Sequence, residues 1–424
     1  MVVCLPCEMS LRELDAKLLL GVRLSSEYSN DVIIGYDKYF THVLNTVGPV
    51  CLLEKSVSSI MYNGRISPVK KLGGKVIVSD EEGFNNLGVR DTETWLARVD
   101  PRAVKDIDVY ACWGKRDKNF FGKIPELSKK MEILGNCRSD LLNHIGRRYY
   151  RSEIEGLKSN FGDFIFISDN FGIELYGLNK LPNYNISKEK NHVIQKEYKQ
   201  WMEHEGIEKR EYFKEILVKT IEQLKSVQFI IRPHPATDPS FWYENFGKYP
   251  NCHIIRKGPV EPWIHASRCV VTMGCTVGTQ SLLAGTPLIE IISPDGKQHG
   301  TASHLINEKA LNSSELSNYI KLFLKDGLRQ KHDKQMLEES WQNTQISSTE
   351  CFSKIINRLS SSIPKPKAKF TPGPFLFDNA KWNYVPTLQE IKSKADQASM
   401  AMGLPFINVN KVSTGVWHLT PLPT

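Results

Sequence analysis

Two short stretches combine residue types suited to holding phosphate. Gly274-Cys275-Thr276-Val277-Gly278 follows the apolar run Cys269-Val-Val-Thr-Met273 and leads into a helical run to Ala284. A strand that turns through glycine into a helix leaves its first backbone N–H groups unpaired, and together with the helix dipole they bind phosphate. Thr276 adds a hydroxyl donor. The second stretch, Arg232-Pro233-His234-Pro235, ends the run Phe229-Ile230-Ile231, at the edge where open α/β sheets take ligands. Its prolines stiffen the loop. Arg232 offers a guanidinium fork, and His234 an imidazole that can donate a hydrogen bond, or a proton as a leaving group departs. Neither stretch is a P-loop or a dinucleotide fingerprint, because Gly-x-x-x-x-Gly-Lys and Gly-x-Gly-x-x-Gly are absent.

Carboxylates form the other group of candidates. Ser79-Asp80-Glu81-Glu82-Gly83 comes directly after the run Lys75 to Val78, and any of its three acids could serve as general base on an acceptor hydroxyl. Asp169, in Ser168-Asp169-Asn170-Phe171-Gly172, is a rival at an equivalent strand end. The Asp-x-Asp spacing of Asp106 and Asp108 places two carboxylates on one strand face, but it precedes its strand, and no His/Cys cluster offers a zinc site. No metal is expected. Cys4-Leu5-Pro6-Cys7 has redox-motif spacing, with too little chain before it for a strand-first thioredoxin unit.

The elements that must carry these residues alternate. Short β-branched runs at Val2 to Leu5, Val32 to Gly35, Lys75 to Val78 and Val109 to Trp113, with a helix over Leu11 to Leu20, read as βαβ units on a parallel sheet. Phe164-Ile165-Phe166-Ile167 opens a second series, continued by a long helical pattern over 190–225 and runs at Phe229, His253 to Ile255, Cys269 and Leu288 to Ile292. The fold class is therefore α/β with two doubly wound sheets. Residues 1–150 form a first Rossmann-like domain, and 151–345 a second. Residues 346–424 form a helical and proline-rich segment, broken at Pro364 to Pro374, that returns toward the first domain.

A chain of 424 residues exceeds what one hydrophobic core serves, which agrees with two domains. Its 41% hydrophobic and 24% charged content is that of ordinary globular protein. A net charge of +8 favours an anionic partner such as a nucleotide, an acidic glycan or a membrane surface. Nucleic acid is disfavoured, because the basic residues are interleaved with acids. No signal peptide and no apolar run of membrane-spanning length is evident, and nine cysteines without a framework suit a reducing compartment. A cytoplasmic location is expected, with peripheral contact at the inner membrane face.

With these pieces placed, the chain resembles the bacterial surface-carbohydrate biosynthesis proteins. The resemblance covers about residues 1–300 and is carried by Glu8-Met-Ser-Leu-Arg12-Glu13-Leu14-Asp15, Asp80-Glu-Glu-Gly83, Trp113-Gly114, Gly135-Asn136-Cys137-Arg138-Ser139-Asp140, Arg232-Pro-His-Pro235, Pro262-Trp263 and Gly274-Cys275-Thr276. It implies a glycosyltransferase with two facing Rossmann-like domains (the GT-B arrangement), the acceptor side on 1–150 and the nucleotide-sugar donor on 151–345. Its acid-acid-Gly and His-Pro motifs are similar to those of sialyltransferases and Kdo transferases, and imply a CMP-activated ulosonic acid donor and a glycan or lipid-linked glycan acceptor, with no other cofactor. On that resemblance Asp80, Glu81 or Glu82 is the base, Arg232, His234 and Thr276 hold the donor phosphate, and Pro235, Gly274, Cys275 and Gly278 shape its site. Gln280 stands where a ribose-contacting glutamate is usual, with Glu261 as substitute, and Cys137 stands where proline is usual. The same layout is shared by polyol-phosphate transferases, sugar-nucleotide epimerases and non-catalytic assembly components, and whether a carboxylate acts as base or nucleophile stays open.

Overall fold

A computed structural model describes residues 1–81, 99–169, 171, 196, 206–234, 239–293, 302–325, 330–341, 346–364, 382 and 384–422. The chain divides into two compact units: the described residues up to 149 and from 338 onward form the first, and those from 150 to 337 the second. The described strands, in chain order, are β1 (Val2–Cys7), β2 (Asp31–Tyr36), β3 (Cys51–Glu54), β4 (Lys75–Ser79), β5 (Val109–Cys112), β6 (Met131–Ile133) and β7 (Phe164–Ser168). They continue with β8 (Gln228–Arg232), β9 (Cys252–Ile254), β10 (Cys269–Thr272), β11 (Leu288–Ile291), β12 (Lys309–Ala310), β13 (Ile407–Ser413) and β14 (Val416–Pro421).

In the first unit the sheet runs β13-β14-β2-β1-β3-β4-β5-β6, parallel from β2 to β6. Every residue of β1 is buried, as expected of a central parallel strand covered on both faces. Pro6 is tolerated there because β3 pairs only with Val3 and Cys4, so no ladder bond is lost at the proline. From β1 the chain passes to β2 on one side and to β3 on the other. The switch point, where doubly wound sheets open a crevice, therefore lies at the carboxyl ends of β1 and β3.

Residues 346–422 build into this unit more extensively than a helical, proline-rich segment implies. The helix Ser348–Ser360 is capped by Asp140, whose Oδ1 accepts from the Ser348 amide at 2.9 Å and whose Oδ2 accepts from the Thr349 amide at 2.8 Å and the Ser347 hydroxyl at 2.7 Å. The helix Leu388–Met402, closed by a Thr387–Glu390 capping box, binds the first helix, Ser10–Tyr28, through Lys394, whose Nζ lies 2.9 Å from both Asp15 oxygens. The β13–β14 hairpin, absent from the helical and proline-rich reading of 346–424, then adds two antiparallel strands beside β2. A Cβ at Gly35 would lie 2.1 Å from the Gly415 carbonyl oxygen, and Gly35 has φ +140°, so only glycine lets the hairpin approach β2 this closely.

The second unit is an all-parallel sheet, β12-β11-β10-β7-β8-β9. Its core packs Ile165, Ile167, Phe229, Ile231 and Val271 against Phe213 and Leu217 of the helix Ile207–Gln223 and Trp242 of the helix Ser240–Phe246. Residues 190–195 and 197–205 of the helical pattern over 190–225 lie outside the described residues. Here the chain runs outward from β7 through β8 to β9, then returns to place β10 on the other side of β7. The second switch point is at the carboxyl ends of β7 and β10. Among the described residues no helix is long and apolar enough to cross a membrane.

Candidate functional site

The second switch point carries the Gly-Cys-Thr turn. β10 ends at Thr272, Gly274 turns with φ +77°, and the helix Thr276–Ala284 starts two residues later with Cys275 as N-cap. Cys275 Sγ lies 3.5 Å from the Ser168 hydroxyl, which ties the turn to the end of β7. Burial pushes the Cys275 thiol up to about 11, so it is a neutral packing group at neutral pH. Thr276 is exposed at the first position of the helix, and the Gly278 amide donates to the Cys275 carbonyl at 3.0 Å.

Beneath this turn sits Glu290, on β11 and 1% exposed. Its Oε1 accepts from the Thr272 hydroxyl at 2.9 Å and its Oε2 from the Gly274 amide at 3.0 Å. Burial pushes its carboxyl up to about 7, against the pull of those two donors and of Lys309. Gly278 is needed for packing, since a Cβ there would stand 2.8 Å from Glu290 Oε1 and 3.0 Å from the Ala302 Cβ. Its missing side chain lets the helix settle onto β11.

Around the turn, the other second-unit candidates are bracing groups. Arg232, 5% exposed at the end of β8, donates from NH1 to the Lys257 carbonyl at 2.8 Å and from NH2 to the Gly258 carbonyl, so its fork holds the loop after β9. Burial lowers it to about 10, partly offset by the charge of Glu261. Glu261, buried, opens the helix Glu261–Ala266. Asp169, 4% exposed, accepts from the Phe171 amide at 2.7 Å and the Trp242 indole N–H at 3.0 Å, which makes it an anchor between β7 and the helix Ser240–Phe246. His234 is half-buried two residues beyond β8, and Pro235 lies outside the described residues.

In the first unit Asp80 follows β4 directly and is buried; Glu81 is half-buried and Glu82 lies outside the described residues. Glu81 faces Arg138, with Nε 3.4 Å from its Oε2 and NH2 donating to its carbonyl at 3.3 Å. Arg138, from the Gly135 to Asp140 motif, also lies over the Trp113 ring at 5.4 Å. A residue not singled out in the sequence joins them. Asp117, in the helix Lys115–Phe121 after β5, accepts from the Trp113 amide at 2.9 Å. Loss of water contact pushes its carboxyl up to about 7, and the negative charge of Asp80 adds to the shift. Its signal was present in the sequence as an acid in the first turn of a helix that follows a strand and Trp113-Gly114.

The first switch point is filled with paired charge. Glu13, fully enclosed, accepts from the Glu8 amide and from Lys17 Nζ, both at 3.0 Å, and from Arg12 at 3.2 Å; Lys55 pairs with Glu8. Glu13 thus occupies the amino end of the helix Ser10–Tyr28 with a carboxylate of the chain itself. Asp108 is committed too, accepting from Lys70 at 2.7 Å, Lys75 at 3.2 Å and the Val76 amide at 2.9 Å.

No family model matches the sequence, and no curated protein matches it. Solved structures do share its fold. UDP-GlcNAc 2-epimerase from Methanocaldococcus jannaschii superposes with a TM-score of 0.52 at 12% identity, over 85% of this chain and 99% of that one. Two weaker matches are Anabaena Alr3699/HepE in complex with UDP-glucose, TM-score 0.44 at 11% identity over 85% of this chain and 99% of that one, and the wall teichoic acid polymerase TagF, TM-score 0.45 at 11% identity over 73% and 72%. With two doubly wound parallel sheets and a C-terminal segment built into the first unit, the chain has the GT-B fold, two Rossmann-like domains.

Proposed function

We propose that the chain is a glycosyltransferase that binds the phosphate of a nucleotide-activated sugar on its second unit and passes the sugar to a cell-surface glycan. The observation that carries this reading is the contrast between the two switch points. In the first unit the helix amino end is neutralised by Glu13 and its ion pairs; in the second, the first turn of the helix Thr276–Ala284 carries no acidic residue, and its positive dipole end presents an exposed Thr276 to an incoming anion. His234, at the neighbouring strand end, supplies the hydrogen bond or proton to the departing phosphate. Arg232 and Asp169 hold the surrounding loops, and Glu261 stands in for the ribose-contacting glutamate. Asp80, Glu81 and Glu82 supply the base toward the acceptor hydroxyl, and the preferred donor is a CMP-linked ulosonic acid such as Kdo.

Sugar-nucleotide epimerisation is the second reading, favoured by the fold shared with an enzyme described as UDP-GlcNAc 2-epimerase. A thermal-shift series with CMP, CDP, UDP and GDP tests the donor, because a ligand bound to the native state raises its apparent stability. Stabilisation by CMP or CDP above UDP and GDP is expected. A clear UDP preference overturns the cytidine assignment, and conversion of a UDP-sugar to its epimer without an acceptor replaces transfer with epimerisation.

A further inference from the structure

Glu290 is the one carboxylate described at the second switch point whose oxygens both face the turn and which the proposed chemistry leaves unused. It lies directly under the backbone that receives the anion: Oε2 is 3.0 Å from the Gly274 amide, and Oε1 is 2.9 Å from the Thr272 hydroxyl. Glu290 itself is 1% exposed. On the helix Thr276–Ala284 the bare Gly278 lies against it, the neighbouring Ile289 and Ile291 pack into a core with Leu316 and Ile320, and the Ala302–His304 turn brings Ala302 while His304 stays exposed. Among the described residues the charged and titratable groups bearing on it are Lys309, opposite it on β12, and the neutral Cys275 thiol, which also senses Asp169; Glu308 contributes its carbonyl to the Glu290 amide at 3.1 Å.

A phosphate on the outer face of the turn would place negative charge against an enclosed carboxylate only a few ångströms away. We infer that Glu290 takes up a proton when the turn binds its anion, so that donor binding by this protein is proton-linked. This rests on the reading of the Gly274–Thr276 turn as the donor-phosphate site. The proton comes from solvent and goes to Oε1, where the Thr272 hydroxyl, a donor to the carboxylate, rotates to become the acceptor of the new O–H. Oε2 keeps its bond from the Gly274 amide, so the turn retains its shape in both states while the repulsion is removed. The carboxyl's position near neutrality in the unliganded chain makes the uptake accessible at physiological pH.

Above the Glu290 midpoint the free protein is ionised and the bound form protonated, so affinity falls as pH rises, by at most about tenfold per pH unit for one proton. CMP-N-acetylneuraminate and UDP-N-acetylglucosamine are suitable probes, because their esterified phosphates carry no titrating proton between about pH 6 and 9. Calorimetry of the full chain in buffers of different ionisation enthalpy counts the protons. Uptake approaching one proton near pH 8 in the wild type, lost in Glu290→Gln together with the slope of affinity against pH, is expected. A second measurement follows the Gly274 amide resonance with pH, first without and then with a probe. It should titrate in the wild type, stay flat in Glu290→Gln, and shift its midpoint upward when a probe is bound. Binding without proton uptake, or equal uptake in Glu290→Gln, overturns the linkage and leaves the donor site standing. Failure of every probe to bind at any pH overturns the donor site itself, and the linkage with it.

Discussion

At the residue scale the acids of this chain separate by what surrounds them. Glu13, Asp108 and Asp169 are satisfied by lysines, amides or an indole, whereas Asp117 and Glu290 are carboxyls that enclosure has moved to about 7. Glu290 has a stability consequence independent of any ligand. Its folded pKa is above the ordinary 4.5, so the stability it contributes is fully present below about pH 4.5 and is lost as pH rises through 7. The shift corresponds to about 3 kcal/mol, and Glu290→Gln should be more stable than wild type at pH 8 and nearly equal at pH 4.5, as urea unfolding will show. Catalysis divides differently. His234→Ala should weaken donor binding and turnover together, with a loss of about 2–4 kcal/mol in kcat/KM. Glu82→Gln, Glu81→Gln or Asp80→Asn at the true base should cut turnover roughly 100-fold while donor affinity holds. Asp169→Asn is the control, and abolished turnover there alone would move the base to the second unit. Asp117→Asn should flatten the limb of the pH–rate profile near 7 if Asp80 is the base, because the neighbouring carboxyl that titrates near 7 is then gone.

Elements show where the sequence could be read and where it could not. β1, β4, β7, β8, β10 and β11 are dense in valine, isoleucine or phenylalanine, and their carboxyl ends placed the Gly274 turn, His234 and the Asp80 acids at sheet edges without a structure. β3, Cys-Leu-Leu-Glu, and β6, Met-Glu-Ile, are short and carry little β-branching, so nothing local marks them. The β13–β14 hairpin alternates apolar residues with asparagine and lysine because one face meets solvent, and its pairing with β2 is set by contacts nearly four hundred residues apart. Glu290 was hidden for a related reason. Within Leu-Ile-Glu-Ile it reads as a polar interruption of a strand, and only register against Thr272 shows which turn it supports. The Gly135 to Asp140 motif likewise turned out to split its work: Arg138 meets Glu81, and Asp140 caps a helix more than two hundred residues away. Asp140→Ala removes partners from two helix amides and a hydroxyl at once and should cost about 2–4 kcal/mol, seen as a lowered melting temperature. Asp140→Asn should recover part of that loss.

For the whole molecule, the C-terminal segment belongs to the first unit by construction, and this sets how the protein should respond to being cut. Chain termination after residue 346 would remove the helix that Asp140 caps, the Lys394 partner of Asp15, the tie from the Ser10 hydroxyl to the Tyr384 carbonyl, and the hairpin that closes the edge of β2. A bare β2 then becomes an exposed edge, and the face of the helix Ser10–Tyr28 that packs against the two C-terminal helices meets water. The second unit loses none of its described strands or core residues, since these lie between 150 and 337. Hydrogen exchange should therefore separate the two halves: amides of β1, β2 and the helix Ser10–Tyr28 lose protection in the truncated chain, while those of β7, β8 and β10 keep it. Loss of protection in both sheets together would mean that the units fold as one cooperative body. Retained nucleotide stabilisation alongside a melted first sheet would place the donor site on the second unit by itself, because the acceptor-side acids would by then have lost their scaffold.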